Sequence, residues 1–219
     1  MASSMGNSFL PFLRPLMLTI IAAIEASPLQ LNDDGHLVRV DMDGTITRRK
    51  KSSCEIATKL ATTVGVALLP YASELSVLAL AHLAMPIYQE NRQWPREMIP
   101  ALIECFKTAG DEHDMEKIWN EYWRSIIEVI REGSGGPFIP SINKCVQKLG
   151  RITGEQRLLI GEMLTVERNN IQTRRQSRDR MRNIENAVDL EDSLRAGDKS
   201  DIEMEEAVTS LQNNLMRLV

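Results

Sequence analysis

One stretch constrains this chain of 219 residues more than any other: INKCVQKLGRITGEQRLLIGEMLTV, residues Ile142–Val166. Alternate steps of three and four from Ile142 reach Cys145, Leu149, Ile152, Gln156, Leu159, Met163 and Val166, and all but Gln156 are apolar or a thiol. An apolar repeat of roughly 3.5 residues keeps a narrow seam turned toward a partner helix, the signature of a coiled coil. Lys144, Lys148, Arg151, Glu155, Arg157 and Glu162 fall between, as a solvated flank requires. A core Gln is the residue type that trades stability for register and oligomer state. Gly150, Gly154 and Gly161 weigh against a very stable coil, each costing about 1 kcal/mol relative to Ala within a helix. A core helix of a soluble bundle is the competing reading. The narrowness of the stripe favours self-association.

Upstream the chain is greasy in two places. Phe9–Ile24 is apolar except for Arg14 and Thr19. A bilayer crossing takes roughly 20 apolar residues, so this run would need snorkelling or local thinning. It reads as a membrane anchor ahead of a buried soluble helix, and a cleaved signal comes last because no Lys or Arg precedes Phe9. The second run, Ala61–Tyr88, is interrupted by Pro70, Glu74, His82 and Pro86. A lone carboxylate at mid-bilayer costs several kcal/mol, so Glu74 would face a partner, water or a pore. Directly before it stand Arg48, Arg49, Lys50 and Lys51, then Ile56, Leu60, Val64, Ala67, Leu68 and Tyr71 at helical spacing. A basic cluster leading into an amphipathic and then apolar helix is how an interfacial element that inserts is built. Two buried helices hinged at Pro70 are the bland alternative.

Between the two runs, Asn32-Asp33-Asp34-Gly35 signals a turn and His36–Val40 alternates as a short strand does. VDMDGTIT, Val40–Thr47, resembles the first motif of the haloacid-dehalogenase phosphatases. That resemblance would make Asp41 the nucleophile and Asp43 the acid/base, with GDKSD, Gly197–Asp201, standing for the metal-binding loop. Such a fold needs several buried parallel strands. None is legible between Thr47 and Gly197, so the phosphatase is the third reading and a polar turn is the simpler one.

Cys54, Cys105 and Cys145 are odd in number and far apart, which disfavours both a disulfide framework and a zinc site. A net charge of −4 gives no global case for nucleic acid. Met115, Trp119, Tyr122, Ile126 and Val129 form a second coil-like seam that ends at Gly133-Ser134-Gly135-Gly136-Pro137. Trp119, Tyr122 and Trp123 read as packing residues rather than a ligand box. Arg174, Arg175, Arg178, Arg180 and Arg182 form a basic belt without aromatic interleaving, read as a solvated helix face. Residues 185–206 hold nine acids against Arg195 and Lys199, which reads as a flexible acidic tail.

The order of these elements, with FLPFLRPLMLTIIAAIEAS, KKSSCEIATKLATTVGVALLPYA and KLGRITGEQRLLIGEML, resembles the rotavirus non-structural protein 4 family of viroporins and enterotoxins, nearer a divergent group-B type. The resemblance implies an endoplasmic-reticulum membrane protein with a cytosolic C-terminus, and a secreted fragment. The Arg48–Lys51 cluster after the first apolar run gives the same orientation by the positive-inside rule. It implies a membrane-permeabilising segment at Arg48, Arg49, Lys50, Lys51 and Lys59 with Glu74, releasing Ca²⁺. It implies a homo-oligomer through Ile142, Cys145, Leu149, Ile152, Gln156, Leu159, Met163 and Val166, with Ca²⁺ held at Gln156. The residue three before Gln156 is Thr153, where that family carries Glu. It also implies capture of viral inner capsid particles, placed at Leu215, Leu218 and Val219. The family is N-glycosylated near its N-terminus; no Asn here lies in an N-x-Ser/Thr sequon.

The expectation is an all-α, non-enzymatic chain. Residues 1–47 are an anchor and polar loop, 48–88 permeabilise membranes, 89–184 oligomerise, and 185–219 are an acidic tail. The rival is a soluble all-helical viral matrix or assembly protein with nucleic-acid or lipid contacts. Membrane association and the oligomeric seam separate the two.

Overall fold

The computed structural model describes residues 9–27, 29–34, 36–84, 93–182 and 191–218. It is all-helical apart from one small hairpin. The helices are α1 (Leu10–Glu25), α2 (Thr45–Val64), α3 (Leu69–Ala84), α4 (Gln93–Ala109), α5 (Glu112–Arg131), α6 (Ile139–Leu149), α7 (Gly154–Arg182) and α8 (Glu191–Arg217). Strands β1 (Leu29–Leu31) and β2 (Leu37–Arg39) pair antiparallel, with Gln30 opposite Val38. The chain divides into two units, Met1–Ser125 and Ile126–Val219.

The first unit packs α1 on α2, and α4 on both α2 and α3. Leu13, Met17, Ile20, Ile21 and Ile24 turn inward from α1 at helical spacing, and Ala57, Leu60 and Ala61 do so from α2. Small residues on α2 let its neighbours approach, and the buried Cys105 thiol donates to the Ala61 carbonyl at 3.5 Å. Pro70 does not hinge the apolar run. The break comes earlier, at the 3₁₀ turn Gly65–Leu68, where Gly65 takes a positive φ of 53°. Pro70 then sits in the first turn of α3, where a missing N–H costs nothing. The last part of that run, through Tyr88, lies outside the described residues.

In the second unit α8 lies against α6 and α7. The end of α5 passes into α6 through Gly133–Phe138, and two glycines there admit close neighbours. A Cβ on Gly135 would meet the Met163 sulfur at 2.7 Å, and one on Gly136 would meet Glu167 Oε2 at 2.3 Å.

The Ile142–Val166 seam is not one helix. Gly150, with φ of 69°, closes α6, and α7 begins four residues later. The start of α7 is a capping box: the Gln156 N–H donates to Thr153 Oγ1 at 3.2 Å, and the Thr153 N–H donates to Gln156 Oε1 at 3.0 Å. Residues 191–217, expected as part of a flexible tail, form α8 with Leu194, Val208, Leu211 and Leu215 buried.

Replacing Thr153 by Ala should lower the unfolding free energy by about 1 kcal/mol, the usual worth of an N-cap side chain. Urea unfolding measures it; an unchanged midpoint would mean the cap contributes nothing.

Candidate functional site

Two surfaces gather most of the chain's unusual side chains, one in each unit. The first is built by α1 and α2. Helix α1 is apolar nearly all round: beyond its buried stripe it exposes Phe12 (60%) and Leu18 (55%), with Arg14 its one charge before Glu25. A helix apolar on every side belongs in a protein core or in lipid. An open groove beside it is lined by Leu18, Thr19, Ala22 and Ala23 of α1, by Ala26 just past its end, and by Ile46 and Arg49 of α2. The outward face of α2 carries Arg48, Arg49, Lys51, Ser52, Glu55, Ile56 and Lys59.

The four-residue basic cluster does not act as one block. Lys50 turns inward, 3% exposed, and its Nζ donates to the Ala26 carbonyl at 3.2 Å, tying α2 to the end of α1. Arg48 donates to the Asp43 carbonyl at 3.2 Å while its side chain stays largely in solvent. Arg49, Lys51 and Lys59 are exposed, as is Glu74 on α3.

Asp41 and Asp43 serve the start of α2. The buried Asp41 carboxylate accepts from the Ile46 and Thr47 N–H groups at 2.8 Å each and from Thr47 Oγ1 at 2.6 Å. These are the donors a helix N-terminus leaves open. Asp43 accepts from the Thr45 N–H and hydroxyl, and those bonds hold its carboxyl below the usual range. The parallel sheet that the phosphatase reading requires is not formed among the described residues. Among the described residues the only sheet is the two-stranded antiparallel hairpin, and Gly197–Asp201 lies within α8.

The second surface is an arginine–carboxylate clasp between α7 and α8. Arg174 Nε donates to Asp201 Oδ1 at 2.8 Å and its Nη2 to Glu167 at 2.9 Å. Arg178 Nε donates to Asp198 at 2.8 Å, and its Nη2 reaches Asp201. Arg182 pairs with Asp198, and Arg175 pairs with Glu205 at 2.6 Å. The belt expected to be a solvated face is therefore largely neutralised by the acids expected to form a loose tail. Asp201 is 2% exposed. Burial pushes its carboxyl up, but hydrogen bonds and charge from Arg178 and Arg174 outweigh that and hold it below the usual range. Hydrogen bonds from Arg182 and Arg178 hold Asp198 low as well.

The remaining sequence-derived sites fall in several environments. Ile142, Cys145, Gln156 and Met163 are buried by the chain itself, Leu149, Ile152 and Leu159 are half-buried, and only Val166 is exposed. The expected oligomerisation seam is thus consumed mainly inside the second unit. Gln156, the expected Ca²⁺ ligand, spends its amide oxygen on the cap, and no cluster of three His, Cys, Asp or Glu suited to a metal occurs among the described residues. Leu215, expected to bind particles, is buried, and its carbonyl accepts from Arg157. Leu218 is half-buried, and Val219 lies outside the described residues. The aromatic cluster on α5 is buried, with Trp119 and Trp123 ring centres 5.7 Å apart. Comparison with protein-family models and with characterised proteins finds no match.

Removing one partner of a buried ion pair costs on the order of 3–5 kcal/mol, and the partial exposure of Arg174 places Asp201→Ala near the lower end. Glu205→Ala, at an exposed pair, should cost less than about 1 kcal/mol. Chemical unfolding of both variants checks the contrast, and equal effects would remove the buried pair's special role. Because Asp198 and Asp201 titrate lower when folded than when unfolded, their stabilisation is present above the unfolded value near 3.8. It is lost as pH falls from there through the folded values. Thermal midpoints should therefore drop more steeply below that value in wild type than in Asp201→Ala.

Proposed function

We propose that this chain is a non-catalytic membrane-associated protein, in which a helical first unit engages a bilayer and an ion-paired second unit serves as a water-borne assembly module. One observation carries the reading. The run Thr45–Leu83, made of α2 and α3 with the 3₁₀ turn Gly65–Leu68 between them, holds a stretch of 18 residues with mean hydropathy 1.7, and only 28% of that stretch is buried within the protein. The core helix of a soluble protein of this apolarity is mostly shielded by its neighbours. Here Val77 is 61% exposed on α3 and Val66 41% exposed in the turn before it. The all-round apolar character of α1 supports the same reading.

The exposure of Glu74 favours a second reading, the oligomeric ion leak in the endoplasmic reticulum that the resemblance implies. A carboxylate on a helix of this apolarity would have to face water, a pore or a partner if that helix crossed lipid. In this reading the run inserts, Glu74 lines the conducting path, and the copies assemble through a surface other than the Ile142–Val166 seam.

The test is fractionation of full-length protein expressed in cultured cells. Recovery with membranes that survives carbonate extraction supports insertion, and release by carbonate supports peripheral engagement. Recovery in the soluble fraction before any extraction would remove both readings. Loss of Ca²⁺ from preloaded reticulum vesicles on adding the protein, abolished by Glu74→Ala, separates the second reading from the first.

A further inference from the structure

We infer that the α1–α2 face is a docking surface for the anionic leaflet of a bilayer, with α1 lying along the interface and the α2 cations on lipid phosphates. The inference rests on the membrane reading above and specifies its mode. Three features of the α1–α2 pair point to this occupant. First, α1 exposes Leu10, Phe12 and Leu18 although its inward stripe is already satisfied by Leu13, Met17, Ile20, Ile21 and Ile24. Second, Leu18 and Arg49 line the same groove, so apolar surface and cation meet on one side of the unit. Third, the adjoining outward face of α2 holds Arg48, Arg49, Lys51 and Lys59 against the single acid Glu55, on a chain whose net charge is −4.

Apolar side chains flanked by cations match the two layers of a bilayer surface. The rings and methyls enter the acyl boundary, and the ammonium and guanidinium groups stay at phosphate level. A second copy of this chain would set the same cations against one another, so charge disfavours a symmetric dimer through this face. Lys50 is not part of the surface: it reaches inward to the Ala26 carbonyl and holds the two helices in the orientation that presents it.

The experiment is co-sedimentation of the full chain with phosphatidylcholine vesicles, with or without phosphatidylserine, at low and high salt. Binding should require phosphatidylserine and weaken with salt, because surface attraction is screened. Each cation near an anionic surface contributes about a fivefold change in partition, so Arg49→Glu with Lys51→Glu should lower binding by at least about 25-fold. Phe12→Ser with Leu18→Ser should reduce binding at every salt concentration. All four positions are exposed, and an unchanged circular dichroism spectrum confirms that each variant folds.

Equal binding to vesicles without phosphatidylserine would overturn the inference, as would binding that neither variant pair weakens. Light scattering that shows a dimer of wild type, broken by Phe12→Ser with Leu18→Ser, would assign the face to self-association and also overturn it. Failure of the vesicle test with carbonate-resistant membrane recovery in cells would sink this docking mode alone. Absence from cellular membranes would sink the broader reading.

Discussion

The second unit depends on the pairing of α7 with α8 through opposite charge. Apolar burial on both helices is sparse for their length. Helix α7 runs 29 residues but buries few of them, and α8 contributes Leu194, Val208, Leu211 and Leu215. A long helix that is polar on most sides needs partners for its charges or it has no reason to remain a helix. Arg174, Arg175, Arg178 and Arg182 find theirs in Asp198, Asp201 and Glu205, and the buried Asp201 is served by two guanidinium groups at once. Toward the other end of α8 the apolar contacts take over, joined by the Asn143 hydrogen bonds to Ser210 and Asn214 and by Arg157 on the Leu215 carbonyl.

The first unit has the opposite character. Its helices carry more apolar surface than their mutual packing hides, so Phe12, Leu18, Val66 and Val77 stand in the open. Polar groups there work mainly on the backbone: Asp41 on the first turn of α2, Lys50 on the end of α1, and Asn32 on its own turn through the Asp34 and His36 N–H groups. The first unit is thus held by apolar packing and by polar groups spent on its own backbone, and the second by ion pairs between α7 and α8 as well.

The helices were largely legible because their apolar spacing is strong: α1, the run from α2 into α3, and α5 with its stop at Gly133 all announce themselves, as does the turn at Asn32–Asp34. The seam at Ile142–Val166 misled because a repeat of threes and fours fits one helix or two. The deciding signal was local and present, a glycine at 150 followed by T-x-x-Q at Thr153–Gln156, which ends one helix and caps the next. The arginine belt and the acidic block were each legible as charge but not as a pair. Arg182 and Asp198 lie 16 residues apart and Arg175 and Glu205 lie 30 apart, and no periodicity links such distant blocks. Nor could spacing tell that one lysine of four adjacent cations faces inward, since that depends on where α1 ends.

Arg178 reaches two carboxylates one turn apart on α8, Asp198 and Asp201, and this fixes more than affinity. Sliding α8 by one turn in one direction would place Leu194 and Gly197 at those positions. The other direction would bring Ile202 and Glu205 there. Either slip strands at least one charge and moves Val208 and Leu211 away from their seats. The pair of aspartates therefore acts as an index mark, so that two helices with little apolar surface still meet in a single alignment.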